Sequence, residues 1–188
     1  MRVGINLIDI IPGTIGGMEQ YIRNLMWFVI HDSRDIELFL FLTVENRNAF
    51  SEYEKDLTIL SVRKENETEE VWKAIERHSI DIWFCPLLVL SPRYIDIPTI
   101  VTIPDIQHKF FPEFFSNNVL TWREKNFPFA LANASSIITI SEFSKRTIVE
   151  KYKADQEKIS VVYLNADKVF SEPMFDAQVR SIRKKYRL

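Results

Sequence analysis

Glycine is scarce in this chain, with four residues in 188, which excludes collagen-like and glycine-rich low-complexity architectures. Cysteine is scarcer. Cys85 stands alone, so no intramolecular disulfide can form, and the three histidines have no zinc-ligand spacing to it or to each other. A reducing, cytoplasmic compartment and the absence of a metal cofactor are therefore expected. No apolar stretch approaches the ~18 residues that cross a bilayer. The start, MRVGINLIDIIPG, lacks the basic head and unbroken apolar core of a secretory signal, being interrupted by Asn6 and Asp9. Membrane contact, where it occurs, is expected to be peripheral, on the inner face. Charge of one sign is also missing: 24 basic against 26 acidic residues leave a net −2, no field with which to hold nucleic-acid phosphates.

What is present is an ordinary globular composition, 46% hydrophobic and 27% charged, enough for one main domain with a sizeable core. Apolar runs rich in β-branched residues at 2–10, 36–44, 57–62, 80–85, 99–103, 136–140 and 159–164 read as strands. They are mostly continuous rather than alternating, the pattern of strands covered on both faces. Between them Met18, Tyr21, Ile22, Leu25, Phe28 and Val29 fall at helical spacing, and Val71, Trp72 and Ile75 repeat it weakly. A helix is also expected over 117–133. The alternation predicts an α/β domain, a doubly wound, mainly parallel sheet of about seven strands with helices on both faces. In such sheets ligands sit beyond the carboxyl ends of the strands. The domain is expected over 1–172. Residues 173–188, with Arg180, Arg183, Lys184, Lys185 and Arg187 toward the end, read as a helix or linker. Dipole compensation at a helix terminus accounts for those cations as well as a surface role does.

Three post-strand clusters carry the candidate chemistry. The first, IPGTIGGMEQYIRNL, holds Gly13, Gly16 and Gly17, three of the four glycines. A glycine turn before a helix lets backbone approach an anion and aims free N–H groups at it. A tight strand-to-helix turn needs the same residues. The spacing is neither GxGxxG nor a P-loop. The second cluster, IPDIQHKFFPEFF, places Asp105 to orient a hydroxyl and His108 to bind or shuttle a proton. Turn capping is the competing reading for Asp105, and an ordinary surface position for His108. Seven aromatics between Phe110 and Phe129 read either as core or as a platform for an apolar or sugar-bearing acceptor. In the third, TISEFSKR, Ser141 suits a helix N-cap, and Ser144, Lys145 and Arg146 would add donors and charge to a phosphate.

Taken in order, these segments resemble the N-terminal half of a GT-B-fold retaining glycosyltransferase of the group 1, or family 4, type. GTIGGMEQYIRNL is similar to that family's GG-x-E-x-Y loop and helix, and PDIQHKFFPEFFS to its HD-L-Q-H-x-x-F-P-E-x-F-S segment. ITISEFSKRTIVEKY resembles its V-S-x-F-S-K-x-x-I box, and KISVVYLNADKVF the K-I-x-V-V-x-N-G-x-D-x-x-F that follows. Two positions depart from the pattern: Pro104 stands where the family often has His, and Ala166 where it has Gly.

The resemblance implies transfer of a sugar from a nucleotide-sugar donor to a glycan or lipid-linked acceptor, without a metal. Gly16 and Gly17 would approach the donor phosphates. Asp105, as the catalytic candidate, and His108 would line the acceptor side, and Ser141, Ser144 and Lys145 would face the cleft. It also implies a C-terminal donor-binding domain absent from this chain, so the isolated chain is expected to be inactive. A non-catalytic interaction or regulatory domain, and a GT-B relative such as a nucleotide-sugar epimerase, are the alternatives.

Overall fold

The seven apolar runs pair into a single sheet. In the computed structural model, which describes residues 1–14, 16–32, 35–165 and 175–187, the strands are β1 (Arg2–Asn6), β2 (Glu37–Leu42), β3 (Thr58–Ser61), β4 (Ile82–Cys85), β5 (Thr99–Thr102), β6 (Ser136–Thr139) and β7 (Ile159–Val161). All neighbours run parallel, in the order β3-β2-β1-β4-β5-β6-β7. β1 lies between β2 and β4, with Ile5 opposite Leu40 of β2 and Phe84 of β4. Each strand is shorter than its apolar run. After β1, for example, Leu7, Ile8 and Ile10 stay buried but leave the ladder, so their hydrophobicity serves packing under a loop rather than strand pairing.

Helices α1 (Gly17–Asp32), α2 (Val44–Arg47), α3 (Glu67–His78), α4 (Asn117–Asn133), α5 (Glu142–Tyr152) and α6 (Asp176–Tyr186) are joined by short 3-10 turns, the longest at Asn48–Tyr53. α1 and that turn cover one face, where Ile22, Met26 and Phe50 meet Ile5, Leu7, Leu38, Leu40, Leu42 and Phe84. α3, α4 and α5 cover the other, where Val71, Ile75, Phe127, Ala130 and Ile148 meet Phe39, Phe41, Trp83, Val101 and Ile137. Sequence termini of the helices follow charge and capping rules. α3 starts with Glu67, Glu69 and Glu70 and ends with Arg77 and His78, each matched to its end of the helix dipole. The chain thus folds as an α/β, Rossmann-like sheet wound in both directions from β1. The turn containing Ala166 and the start of the segment at 173 lie outside the described residues.

Gly4, the one glycine outside the loop that follows β1, has a packing reason. A Cβ there would sit 2.8 Å from Trp83 Cε3 and 3.1 Å from Phe41 Cε2, and both rings are fully buried in an edge-to-face pair at 4.6 Å. Gly4→Ala is expected to destabilise the fold by about 1–3 kcal/mol through overpacking. The check is a urea midpoint that falls with an unchanged slope.

Candidate functional site

Strand order reverses between β1 and β4, and the loops beyond the carboxyl ends of the neighbouring strands form the candidate edge. The loop from β1 to α1 is held from beneath by Asn46, which is 5% exposed. Its Nδ2 donates to the carbonyls of Leu7 (3.0 Å), Ile8 (3.3 Å) and Ile10 (3.0 Å), and its Oδ1 accepts the Thr43 N–H at 2.8 Å. Asn6 does similar work beside it, accepting from Ile8 N–H at 3.1 Å and donating to the Ser91 carbonyl at 2.7 Å. That carbonyl also receives the Trp83 indole N–H at 2.8 Å and the thiol of Cys85, whose burial pushes its pKa up to about 12. These two asparagines are the residues that sequence reasoning missed. Their partners lie up to 85 positions away, and an Asn without its partners looks like a loop residue.

Within the loop, Gly13 and Gly16 adopt φ of +79° and +53°, the left-handed region that favours glycine. The Gly13 N–H donates to Glu19 Oε2 at 2.7 Å, and Glu19 Oε1 accepts from Arg23 Nη2 at 2.8 Å. Those two donors hold the Glu19 carboxyl below its ordinary pKa. Gly17 is different. It opens α1 without a positive φ, and a Cβ there would meet no other heavy atom within 4 Å among the described residues beyond its chain neighbours and the helix backbone. Neither its backbone conformation nor crowding inside the chain requires glycine at that position.

Two side-chain hydrogen bonds tie the three clusters into one edge. Tyr21 of α1 meets Thr102 Oγ1 at 3.2 Å, at the end of β5. Thr139 Oγ1, at the end of β6, donates to the Pro104 carbonyl at 3.1 Å. Asp105 is half-buried; its Oδ1 accepts the Gln107 N–H at 3.2 Å and caps a short turn, while Oδ2 has no hydrogen-bond partner among the described residues. Ser141 caps α5, accepting the Ser144 N–H at 3.0 Å and donating to the buried Ser144 hydroxyl at the same distance. Lys145 follows in the first turn, half-buried, with no side-chain hydrogen bond or ion pair among the described residues.

His108 turns away from this edge. Its residue exposure is 3%. Nε2 lies 2.8 Å from the Tyr152 hydroxyl, and Arg123 Nη1 stands 3.3 Å from Nδ1. The ring packs edge-on to Phe127 at 5.2 Å. Because Arg123 can only donate, Nδ1 accepts, and the proton resides on Nε2. Arg123 lies over Phe115 at 4.6 Å, with its Nε buried and unpaired. Burial first, and the Arg123 charge second, lower the His108 pKa. The aromatic segment divides: Phe127 is core, whereas Phe110, Phe111, Phe114 and Trp122 are exposed.

Among the described residues no group of three or more His, Cys, Asp or Glu is placed to hold a metal ion, and no helix is long and apolar enough to cross a membrane. Two recesses, of about 440 and 230 Å³, open at the amino ends of the strands, beside Met1, Glu37 and Asp56 and beside Leu131, Tyr152 and Lys158. We place the candidate site at the carboxyl edge despite them, because the parallel winding puts the loops there and the recesses hold none of the three clusters.

Sheet order and edge loops together define a Rossmann-like domain of the kind found in GT-B glycosyltransferases. A glycosyltransferase from Rickettsia africae ESF-5 superposes with a TM-score of 0.57 at 12% identity, over 99% of this chain and 49% of that one. The lipopolysaccharide outer core galactosyltransferase WaaB, in its apo form, superposes at 0.56 with 16% identity, over 89% and 46%. The likeness is one of fold, and this chain spans about half the length of either protein. No family model and no curated protein matches it.

Two outcomes follow from the site's construction. Asn46→Ala leaves buried carbonyls of the loop unpaired and is expected to cost about 1–3 kcal/mol, with faster amide hydrogen exchange at Ile10 and Thr14. His108, with its pKa lowered in the fold, contributes stability that is complete above the ordinary value of 6.5. Below it the unfolded chain takes up the proton first, so stability falls as pH drops from 6.5 through the lowered folded value. Denaturant titrations of the wild type and His108→Gln over this range should differ in slope against pH, the variant's being flatter.

Proposed function

We propose that the chain is the amino-terminal, acceptor-side domain of a retaining GT-B glycosyltransferase, which moves a sugar from a nucleotide-sugar donor to a glycan or lipid-linked acceptor hydroxyl without a metal. The observation that carries this reading is Gly17: the chain itself does not require glycine there, at the start of a 16-residue helix on the ligand edge of a fold shared with two glycosyltransferases. Backbone kept bare toward open space suits close approach by an outside group, and helix N–H groups suit a donor phosphate. Gly16 shapes the turn that presents it.

In this reading Asp105 is the catalytic residue. One carboxylate oxygen is fixed by the Gln107 N–H, leaving the other to accept the hydrogen bond of the acceptor hydroxyl and orient its oxygen. As the new C1–O bond forms, the bond from C1 to the donor phosphate breaks, and the nucleoside diphosphate leaves with the hydroxyl proton. His108, locked between Tyr152 and Arg123, acts as a positioning residue beneath the turn that carries Asp105. Lys145 and the Ser141 hydroxyl stand at the cleft margin, while the Ser144 hydroxyl is buried beneath and accepts from Ser141. Donor recognition belongs to a second domain that closes the cleft, and catalysis needs groups from both walls.

The isolated chain is accordingly expected to give no sugar transfer from any nucleotide-sugar, with activity appearing when the second domain is supplied. In that two-domain enzyme, Gly17→Ala should cut kcat/KM at least tenfold while leaving the melting temperature unchanged, because a Cβ there meets no described heavy atom within 4 Å. Asp105→Asn should lower kcat by about 10²-fold or more. Parallel losses of stability and activity at Gly17, or enzyme-like turnover by the isolated chain, would overturn the reading.

A further inference from the structure

Next to the candidate edge lies a surface that the transfer reaction as proposed does not use. Phe114 is 77% exposed, Phe143 60%, Phe111 50% and Phe110 41%. They form two ring pairs: Phe111 stacks on Phe114 at 5.8 Å with an interplanar angle of 18°, and Phe110 faces Phe143 at 6.4 Å. The two pairs are linked through the backbone of the consecutive residues Phe110 and Phe111. Arg146 stands over Phe143 at 5.6 Å and Lys151 over Phe110 at 5.4 Å. This brings together two segments distant in sequence, the turns after β5 and the start of α5. In sequence, Phe143 is two residues from Ser141 and Phe110 five residues from Asp105. Apolar rings held this open to water, in a cluster, mark a binding surface.

The charge around the rings narrows the ligand. Segments 105–115 and 141–151 carry Lys109, Lys145, Arg146 and Lys151 against Asp105, Glu113, Glu142 and Glu150, a net charge of zero. An anionic lipid surface is not attracted to such a patch; the basic stretch of this chain is α6, with Arg180, Arg183, Lys184, Lys185 and Arg187 against Asp176. A neutral carbohydrate fits better. The C–H face of a pyranose is apolar and slightly electropositive, so it stacks on the negative face of an aromatic ring, while its equatorial hydroxyls exchange hydrogen bonds with nearby ammonium, guanidinium and carboxylate groups.

We infer that Phe110, Phe111, Phe114 and Phe143 form a subsite for an uncharged oligosaccharide, on which sugar units behind the reacting end of the acceptor stack. That the patch binds carbohydrate stands on its own geometry; that the bound carbohydrate is the acceptor rests on the proposed transferase reading.

The test uses the 188-residue chain and a panel of neutral probes, maltotetraose, mannotriose, cellotetraose and chitotriose, followed by ligand-detected NMR and calorimetry. At least one is expected to bind with a millimolar Kd, and more tightly than its own monosaccharide. The double variant Phe114→Ala/Phe143→Ala should weaken that binding at least tenfold with an unchanged melting temperature, since both rings are exposed. A second variant, Phe114→Trp, should retain it. A parallel flotation assay uses vesicles of phosphatidylcholine containing phosphatidylglycerol. Absence of binding to every probe, or equal binding by the double variant, overturns the subsite; so does vesicle binding that the double variant abolishes, which would make the patch a membrane surface. Transfer activity in the two-domain enzyme separates the two claims. Carbohydrate binding without any transfer would overturn the transferase reading while leaving the subsite, and transfer without carbohydrate binding would do the reverse.

Discussion

At the end of β1 the chain leaves the sheet but not the interior. Leu7, Ile8 and Ile10 are 0–3% exposed, so the carbonyls that no longer have ladder partners face no water and must be satisfied within the protein. The two N–H groups of a single amide, that of Asn46, are shared among three of them, and the Leu7 carbonyl also accepts the Ile10 N–H. The rest of the ligand edge hangs on this arrangement. It fixes where the backbone turns at Gly13 and Gly16, and therefore where α1 begins. The start of α1 sets the reach of Tyr21 to Thr102; β5 carries on to Pro104, whose carbonyl is held by Thr139 of β6. Each bond contributes modestly by itself, roughly 0.5–1.5 kcal/mol. Their importance is that each spans two loops that would otherwise be placed independently.

The strands were readable because both faces of the sheet are covered, so burial appears as unbroken apolar runs such as IELFLFLTV. The same signal misplaces their ends. Leu7, Ile8 and Ile10 after β1 are as buried as Ile5 within it, and hydrophobicity cannot distinguish a rung of the ladder from packing under a loop. The α2 helix and the following 3-10 turn were missed for the opposite reason. VENRNAFSEY contains one core side chain, Phe50, and its ordering comes from Asn46, Arg47 and Arg23 bonding to distant partners.

For the site, what could be read was position along the chain, and what could not was the direction in which a side chain points. Asp105, Ser141 and Lys145 fall after strands and sit at the edge. His108 also follows a strand, yet three residues of tight turn after Asp105 rotate its ring inward onto Phe127 and toward Tyr152, a partner 44 positions further on. A D-x-x-H spacing looks the same in either orientation. Burial of the imidazole is decided by α4 and α5, whose packing no local pattern encodes. The aromatic run is another mixture: one ring went to the core, and four went to water or its margin, although all have the same composition signal.

Under the proposed function the carboxyl edge is one of two walls. Ile11, Val44, Phe114 and Phe143, each following the carboxyl end of a different strand, are 60–77% exposed, while among the described residues Asp105 Oδ2 and the Lys145 ammonium have no hydrogen-bond or ion-pair partner. In water those two charges cost little to leave without partners, whereas in a closed site each would need one. An open edge therefore tolerates the pair as they stand, and closure over it is favourable only if a ligand arrives carrying a hydroxyl for the one and an anionic oxygen for the other. In the proposed reaction, a nucleotide-sugar and an acceptor alcohol would bring that combination. Under the proposed function, without both substrates the desolvation cost of Asp105 and Lys145 opposes closure, and the exposed Ile11 and Val44 supply apolar area that favours it once they are bound.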